Sequence, residues 1–535
     1  MDEPVTEQPK SGFSKKTIAI IIGLLLIIGG AVSAYVLLDK STKEKYFLAE
    51  KETIDFIGES VKEKYTLESK WGEKTADNPN KAAHRINLQA NNNGLDGENF
   101  GAVDPFDMLS SVTVLFDVES DLDNKELAFG LGVDFANMDL GKIGATISEH
   151  DLFIELPFTD DIIHIEDQQL NELLQELDPY TFTEEDFVDF ETIFDAFSNE
   201  FLDEEDMEYL KEEYVEYLYE EIPEEAFSEE KDSVTVHGED INANKITFHL
   251  DEDEFKDLLE GFFRKLSRDD RVKDMFEKFI ELQLPVNTAL DDSISSENQM
   301  IINEILDDFE RTLKAIRLGI PQLHFKDGMT STIWVDHNKV VQRDFSLEFG
   351  PDQNDLVFVS IEGTQLLEKD KQQFDMDVTF GDTYEEFPIH LEGEFNWKDN
   401  QGDDYVLLRA EDTEISYEAS EELTDKSTKE FTRSIHITDS YADLEFNWSG
   451  DASYESEEMN SSHTLSFFED GVEEEFQIHV DKIGSIEKEL DIPSTSDSVQ
   501  LGEMEMFEID MYIESLASEF EHWLSQLMGG GMFGF

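Results

Sequence analysis

The 535 residues contain no cysteine. Disulfide frameworks, thiol nucleophiles, iron–sulfur clusters and cysteine-based zinc sites are therefore excluded. Basic residues are scarce: 40 Lys and Arg, of which nine are Arg, stand against 127 Asp and Glu, a formal charge of −87. A polyanion repels nucleic acid, so no nucleic-acid partner is expected. Catalytic motifs are missing too. There is no G-x-S-x-G elbow, P-loop, G-x-G-x-x-G fingerprint or H-E-x-x-H pair. With so many acids, carboxylate pairs for glycan hydrolysis occur at any spacing and identify nothing. The chain reads as a non-enzyme without a cofactor. Its twelve histidines are scattered, and the pairs His150/His164 and His237/His249 are too loosely spaced to mark a metal site, so no metal is assigned. The oxygen-rich stretches Asn91–Gly97 and Asp399–Asp404 miss the EF-hand ligand spacing and read as turns, with weak Ca2+ binding compatible with so acidic a chain.

One long apolar run is present. Thr17–Leu38 holds 22 residues without a charge. As a helix it would measure roughly 33 Å, against a hydrocarbon core of about 30 Å. The apolar run continues through Tyr35 to Leu38, which predicts an uncleaved signal anchor, and Lys15 and Lys16 abut it while the whole excess of acid follows it, which predicts a cytoplasmic N-terminus. The small residues Ala31–Ala34 leave a cleaved signal peptide as the rival. The expected location is the cell membrane, single-pass, with the N-terminus cytoplasmic and the C-terminal domain extracellular.

The rest divides by periodicity. Residues 1–16 form a short tail, 17–38 the anchor and 39–82 a juxtamembrane helix with apolar positions Phe47, Ile54, Ile57 and Val61. Over 83–166 apolar residues recur with period two, predicting an antiparallel meander. Residues 167–318 are acidic and mainly helical. Asp167–Asp232 alone holds 26 acids and two bases, yet Met207, Leu210, Tyr214, Tyr217 and Leu218 keep helical spacing, so the charge reads as a solvated face. Lys256–Lys278, with seven bases and six acids, is expected to dock on those helices. A second meander spans 319–500, and 501–535 carries an amphipathic helix, Glu503–Met528, expected to pack against protein, then a Gly/Phe tail. Sheet, helices and sheet in that order predict an α+β fold.

Four strings carry a resemblance: KSGFSKKTIAIIIG (Lys10–Gly23), KEKYFLAEKETIDFI (Lys43–Ile57), WVDHNKVVQRDFSLEF (Trp334–Phe349) and QLMGGGMFGF (Gln526–Phe535). They resemble an uncharacterised family of membrane-anchored extracytoplasmic proteins from Bacillus-like Gram-positive bacteria. The resemblance implies a cell-envelope location and supplies no catalytic residues. The paired strands also resemble, in style, bacterial lipoprotein carriers with a half-open barrel.

Two arginines fall in phase with apolar strand positions: Arg343 with Val341 and Phe345, Arg433 with Phe431, Ile435 and Ile437. A guanidinium on an apolar face needs a partner. One reading is an internal ion pair; the other is an anion anchor for a lipid head group in a sheet-lined cavity. The functional expectation is a non-catalytic envelope module binding lipid or another apolar ligand. A scaffold or sensor for an envelope protein and a carboxylate-dependent glycan hydrolase are its alternatives.

Overall fold

In a computed structural model, residues 41–90, 110–136, 138–177, 190, 193–194, 204–283, 292–440, 442–469 and 476–527 are described. The described chain opens with two helices, α1 (Thr42–Lys64) and α2 (Thr66–Ala76), broken at Tyr65. Ser41 caps α1 through a capping box with Glu44, which satisfies two orphan N–H groups of the first turn. The helix forms where expected, but its buried face differs. Ile54, Ile57 and Val61 are exposed, while Lys43, Glu50 and Thr53 are buried beside Tyr46 and Phe47. Thr53 and Glu50 meet partners on β10, and Lys43 meets the end of α5: Val340 N donates to Thr53 Oγ1 at 2.9 Å. Lys43 Nζ donates to the carbonyls of Tyr219 and Ile222.

The strands follow as β1 (Asn80–Ala90), β2 (Val112–Asp121), β3 (Glu126–Phe135), β4 (Met138–Ser148), β5 (Asp151–Glu155) and β6 (Ile162–Glu166). After helix α3 (Asp167–Leu177) comes an acidic helical stretch. It comprises α4 (Glu204–Leu210), a π turn (Lys211–Val215) and α5 (Glu216–Glu221). The hairpin β7 (Phe227–Val236) and β8 (Glu239–Leu250) leads to α6 (Glu252–Leu266), α7 (Asp270–Gln283) and α8 (Asp292–Gly319). Eleven strands close the order: β9 (His324–Asp336), β10 (Lys339–Asp352), β11 (Asp355–Leu367), β12 (Lys371–Asp382), β13 (Glu386–Lys398), β14 (Gln401–Ala410), β15 (Thr413–Leu423), β16 (Thr428–Thr438), β17 (Asp443–Tyr454), β18 (Glu458–Glu469) and β19 (Phe476–Ile486). The two-residue β20 (Val499–Gln500) and helix α9 (Met506–Leu527) end the described chain.

The expected α+β arrangement of two meanders flanking a helical block, with a possible lipoprotein-carrier half-barrel, is corrected by the pairing. All twenty strands belong to one sheet. Strands β7 to β19 pair in chain order, β19 pairs antiparallel with β1 in an unbroken register from Asn80↔Ile486 to Ala90↔Phe476, and β1 to β6 continue the sheet. β20 joins β6 in parallel. The first and second meanders are thus sequence-distant halves of one surface. The hairpin β7–β8, taken as an interruption of the helical region, forms one end of it.

Alternation gives this sheet an inner, mostly apolar face and an outer, polar one. The main core lies on the inner face, where α1, α6 and α8 cover β8 to β10 with Phe47, Phe255, Phe263, Ile316, Ile333 and Phe349 all buried. A bulge between Val340 and Gln342 sends Val341 to the opposite side, against Val236 and Trp334, so it does not share a face with Phe345. The π turn has a similar effect in α4–α5. Its extra residue rotates the face, so Met207 is exposed while Tyr214 and Leu218 are buried.

Lys256–Lys278 does dock on the acidic helices. Arg271 pairs with Asp206 at 2.7 Å and Lys265 with Glu213, while Tyr209 and Tyr214 both donate to Asp269. Helix α9 does not pack as expected: of its apolar residues only Ile509 is buried, and Ile513 and Phe520 are exposed. The apolar run Thr17–Leu38 lies outside the described residues, as do Asn91–Gly97 and the tail 528–535. Among the described residues no helix is long and apolar enough to cross a membrane.

Candidate functional site

The elbow at Tyr65 organises the middle of the sheet. Tyr65 is both the C-cap of α1 and the N-cap of α2, with φ −101° and ψ 30°. The two helices cross the inner face from β10, where Glu50 meets Arg343, to β19, where Trp71 lies on Gly484. A Cβ at Gly484 would come within 2.9 Å of the Trp71 ring, so the helix can lie this close only over a glycine.

Beneath the elbow six charged groups meet. Lys64 pairs with Asp404 of β14. Lys429 of β16 sits 2.8 Å from Glu68 and 2.7 Å from Glu421 of β15. Arg433 donates to Glu421 Oε1 through Nη2 at 2.6 Å and Nε at 3.2 Å. The Arg433 guanidinium is 4.6 Å from the Trp448 ring centre and 4.5 Å from that of Phe431, so it is stacked as well as paired. Three cations balance three carboxylates, which is what allows such a group to be buried. The satisfaction is incomplete: Asp404 Oδ1 and Glu68 Oε2 accept no hydrogen bond, and Glu421 Oε2 has the Lys429 ammonium near it without good hydrogen-bond direction. Burial raises the Glu421 pKa, but the adjacent Lys429 ammonium and the bonded Arg433 guanidinium prevail, so it lies below the usual range. For Asp404 burial prevails over Lys64, and the pKa is raised.

Both arginines singled out in the sequence are therefore paired inward. Arg343 Nη2 is 2.9 Å from Glu50 Oε2, with Glu50 itself 4% exposed. Arg343 and Arg433 are not brought together; they lie six strands apart, on the order of 29 Å at about 4.8 Å per strand.

The outer face of the same strands carries a trough of 570 Å³. Two rows of side chains flank it. Asp403, Ser420, Thr432 and Ser449 form one; Tyr405, Glu418, Ser434 and Asn447 form the other. Between them runs the backbone of Asp404, Ala419, Arg433 and Trp448, whose side chains point inward. The rows stand about 6.6 Å apart, two residues along a strand, and cross four strands over roughly 14 Å. Asn447 Nδ2 donates to Glu445 at 3.0 Å, whereas the other seven side chains make no hydrogen bond to the described protein. Elsewhere on this face cross-strand bonds are made: Asp377 with His390 at 2.9 Å, Glu414 with Arg409 at 2.8 Å, Asp481 with Ser462 at 2.8 Å. Other outward pairs, such as Asp344 with Glu362 and Ser346 with Ser360, are also unbonded; what marks the trough is that its unbonded groups line a concavity backed by the ion cluster. Sequence reasoning passed over them, although small hydroxyls at alternate positions (Ser416, Ser420, Thr432, Ser434, Ser449, Ser453) were a readable signal.

A larger cavity of 860 Å³, lined by Tyr209, Tyr217, Arg264, Lys265 and Asp269, is the seam of the docked basic segment. Its Lys265 and Asp269 are already engaged within the fold.

No protein-family model matches the chain, and no curated protein matches it. Solved structures similar to it include the outer membrane protein opdK from Pseudomonas aeruginosa, at 5% identity over 76% of this chain and 98% of that one, with a TM-score of 0.23. OccAB4 of Acinetobacter baumannii matches at 6% identity over 77% and 98%, with a TM-score of 0.22. A BenF-like porin from Pseudomonas fluorescens Pf-5 matches at 6% identity over 76% and 97%, with a TM-score of 0.20. None of these is named as an enzyme. At such TM-scores the likeness carries no argument about what this chain does. The expectation of a helix-anchored, single-pass envelope protein with a lipid or envelope-protein partner is nonetheless corrected. Among the described residues no helix is long and apolar enough to cross a membrane, and the strands on both sides of the helical block form one sheet.

Proposed function

We propose that the chain is a non-catalytic binding protein whose outer trough takes an extended, polyhydroxylated and uncharged ligand of the oligosaccharide class. The observation that carries this reading is the trough itself: a 570 Å³ concavity flanked by two parallel rows of side chains, seven of which make no hydrogen bond to the described protein. Hydroxyl-rich ligands are held by carboxylate, amide and hydroxyl groups that accept and donate at short range, and Asp403, Glu418, Asn447, Ser420, Thr432 and Ser434 supply this set. Tyr405, 36% exposed, offers a ring at one end of its row. The charge of −87 disfavours polyanionic glycans. The ion cluster behind the trough holds the four strands in place, which reduces the ordering cost of binding.

Titration calorimetry with neutral hexasaccharides of the glucan, xylan and chitin types tests the reading. Binding of one type, abolished by Tyr405→Ala with Asn447→Ala, is the expected result. Absence of heat with all three, at protein and ligand concentrations suited to millimolar affinity, would overturn it.

A further inference from the structure

Strands β12 and β13 place four potential metal ligands in a square on the outer face. Asp375 and Asp377 stand two residues apart on β12; Glu392 lies directly opposite Asp375, and His390 opposite Asp377. His390 Nδ1 is 2.9 Å from Asp377 Oδ1 and 3.8 Å from Asp375 Oδ1, and its Nε2 is 3.7 Å from Glu392 Oε2. One donor atom from each of Asp375, Asp377 and His390 lies within 4.8 Å of the others.

Two features go beyond an ordinary histidine–aspartate pair. The first is the mixed donor set. Nδ1 of His390 and one oxygen each of Asp375 and Asp377 converge, with a solvent-facing side left for water, while Glu392 faces Nε2. Donors around an ion at about 2.0–2.2 Å can be no more than roughly 4.4 Å apart, so closing the present arrangement needs shifts of a few tenths of an ångström in half-exposed side chains. The second is the direct opposition of Asp375 and Glu392. Like charges facing across an antiparallel pair repel, and each such pair costs about 0.2–1 kcal/mol. The nearby cation, Arg409, is 3.7 Å from Glu392 but is bound at 2.8 Å by Glu414 on its other side. Asp375 has no cation closer than His390 at 3.8 Å. His436 and Asp443 form a comparable pair on the same face; Glu445 stands opposite His436, but among the described residues no third donor atom closes on that pair as in the Asp375, Asp377 and His390 group.

We infer that Asp375, Asp377 and Nδ1 of His390 form a surface site for a divalent transition-metal ion of the Zn2+ class, bridging β12 and β13, with Glu392 facing the other ring nitrogen. The imidazole selects against Ca2+ and Mg2+, which take oxygen donors, and the mixed set suits Zn2+, Co2+ and Ni2+. The inference does not depend on the trough's ligand.

The test is titration of the chelator-stripped full chain with Zn2+ in excess Ca2+, which saturates the general carboxylate background. A parallel Co2+ titration is read by visible absorption. One equivalent is expected, with affinity reduced at least about tenfold in His390→Ala and in Asp377→Asn and unchanged in His436→Ala. Asp375→Asn, isosteric and on an exposed edge of the square, gives an independent variant if His390→Ala perturbs the sheet. An isotherm that is the same in His390→Ala, Asp377→Asn and the wild type would overturn the site. So would equal loss in His436→Ala.

Discussion

The two faces of β14–β17 treat polar groups in opposite ways. Inward, Asp404, Glu421, Lys429 and Arg433 are buried or nearly so and each has an oppositely charged partner. Outward, on the same strands and one residue away, Asp403, Glu418, Ser420, Thr432 and Ser434 are unbonded to the protein. The contrast teaches what each set is for. A buried charge without a partner costs several kcal/mol, so the inner groups are held by stability. The outer groups face water, cost little, and are free to exchange water for a ligand.

The sharpest test removes the centre of the inner set. Glu421→Gln leaves Lys429 and Arg433 without their shared carboxylate and should cost about 3–5 kcal/mol, read from the urea midpoint at pH 7. A loss below about 1 kcal/mol would mean that the inner cluster is not what holds these strands. Next comes Arg343→Met, which strands the buried Glu50 and should cost about 3 kcal/mol by the same measurement.

Acid titration separates the two inner carboxylates by sign. The Glu421 pKa is lowered from its ordinary 4.5, so its stabilisation is present above that value and lost as pH falls through the lowered folded value. The Asp404 pKa is raised from 3.8, so its ionised form carries a net penalty above the raised value, relieved as pH falls through it. The cost of Glu421→Gln should therefore shrink on acidification, and the cost of Asp404→Asn should grow. Parallel trends would break the assignment.

The smallest effect is expected outside. Thr432→Ala and Ser434→Ala should change stability by less than about 0.5 kcal/mol, measured in the same urea series. A large loss there would show the trough to be structural and remove the comparison on which the binding proposal rests.

Much of the strand pattern was legible. Phe374, Met376, Val378 and Phe380, or Phe476, Ile478 and Val480, alternate so regularly that their side of the sheet could be read directly. Arg433 was correctly placed in phase with Phe431 and Ile435, and its ion pair was one of the two readings made. Glu421 and Asp404 could not be picked from 127 acids, because nothing local in the sequence marks which carboxylates are buried. The square of Asp375, Asp377, Glu392 and His390 was missed for a related reason. Its members are cross-strand neighbours, so their separations of 2, 13, 15 and 17 residues, set by the hairpin register, look like scatter in one dimension. Helix α1 misled because its burial follows polar anchors to β10 rather than the apolar stripe Ile54, Ile57 and Val61.

What the amino-acid sequence determined by itself was local: which segments alternate with period two or 3.6, where charge accumulates, and that no thiol chemistry exists. These follow from side-chain direction along a single strand or helix and need no knowledge of neighbours. Tertiary structure decided that β19 and β1 join two meanders into one sheet, that the α1–α2 elbow lies over β14–β16, and which of many like carboxylates are buried, free or clustered. Those outcomes depend on register between segments hundreds of residues apart, and pairing free energy, not local propensity, selects it.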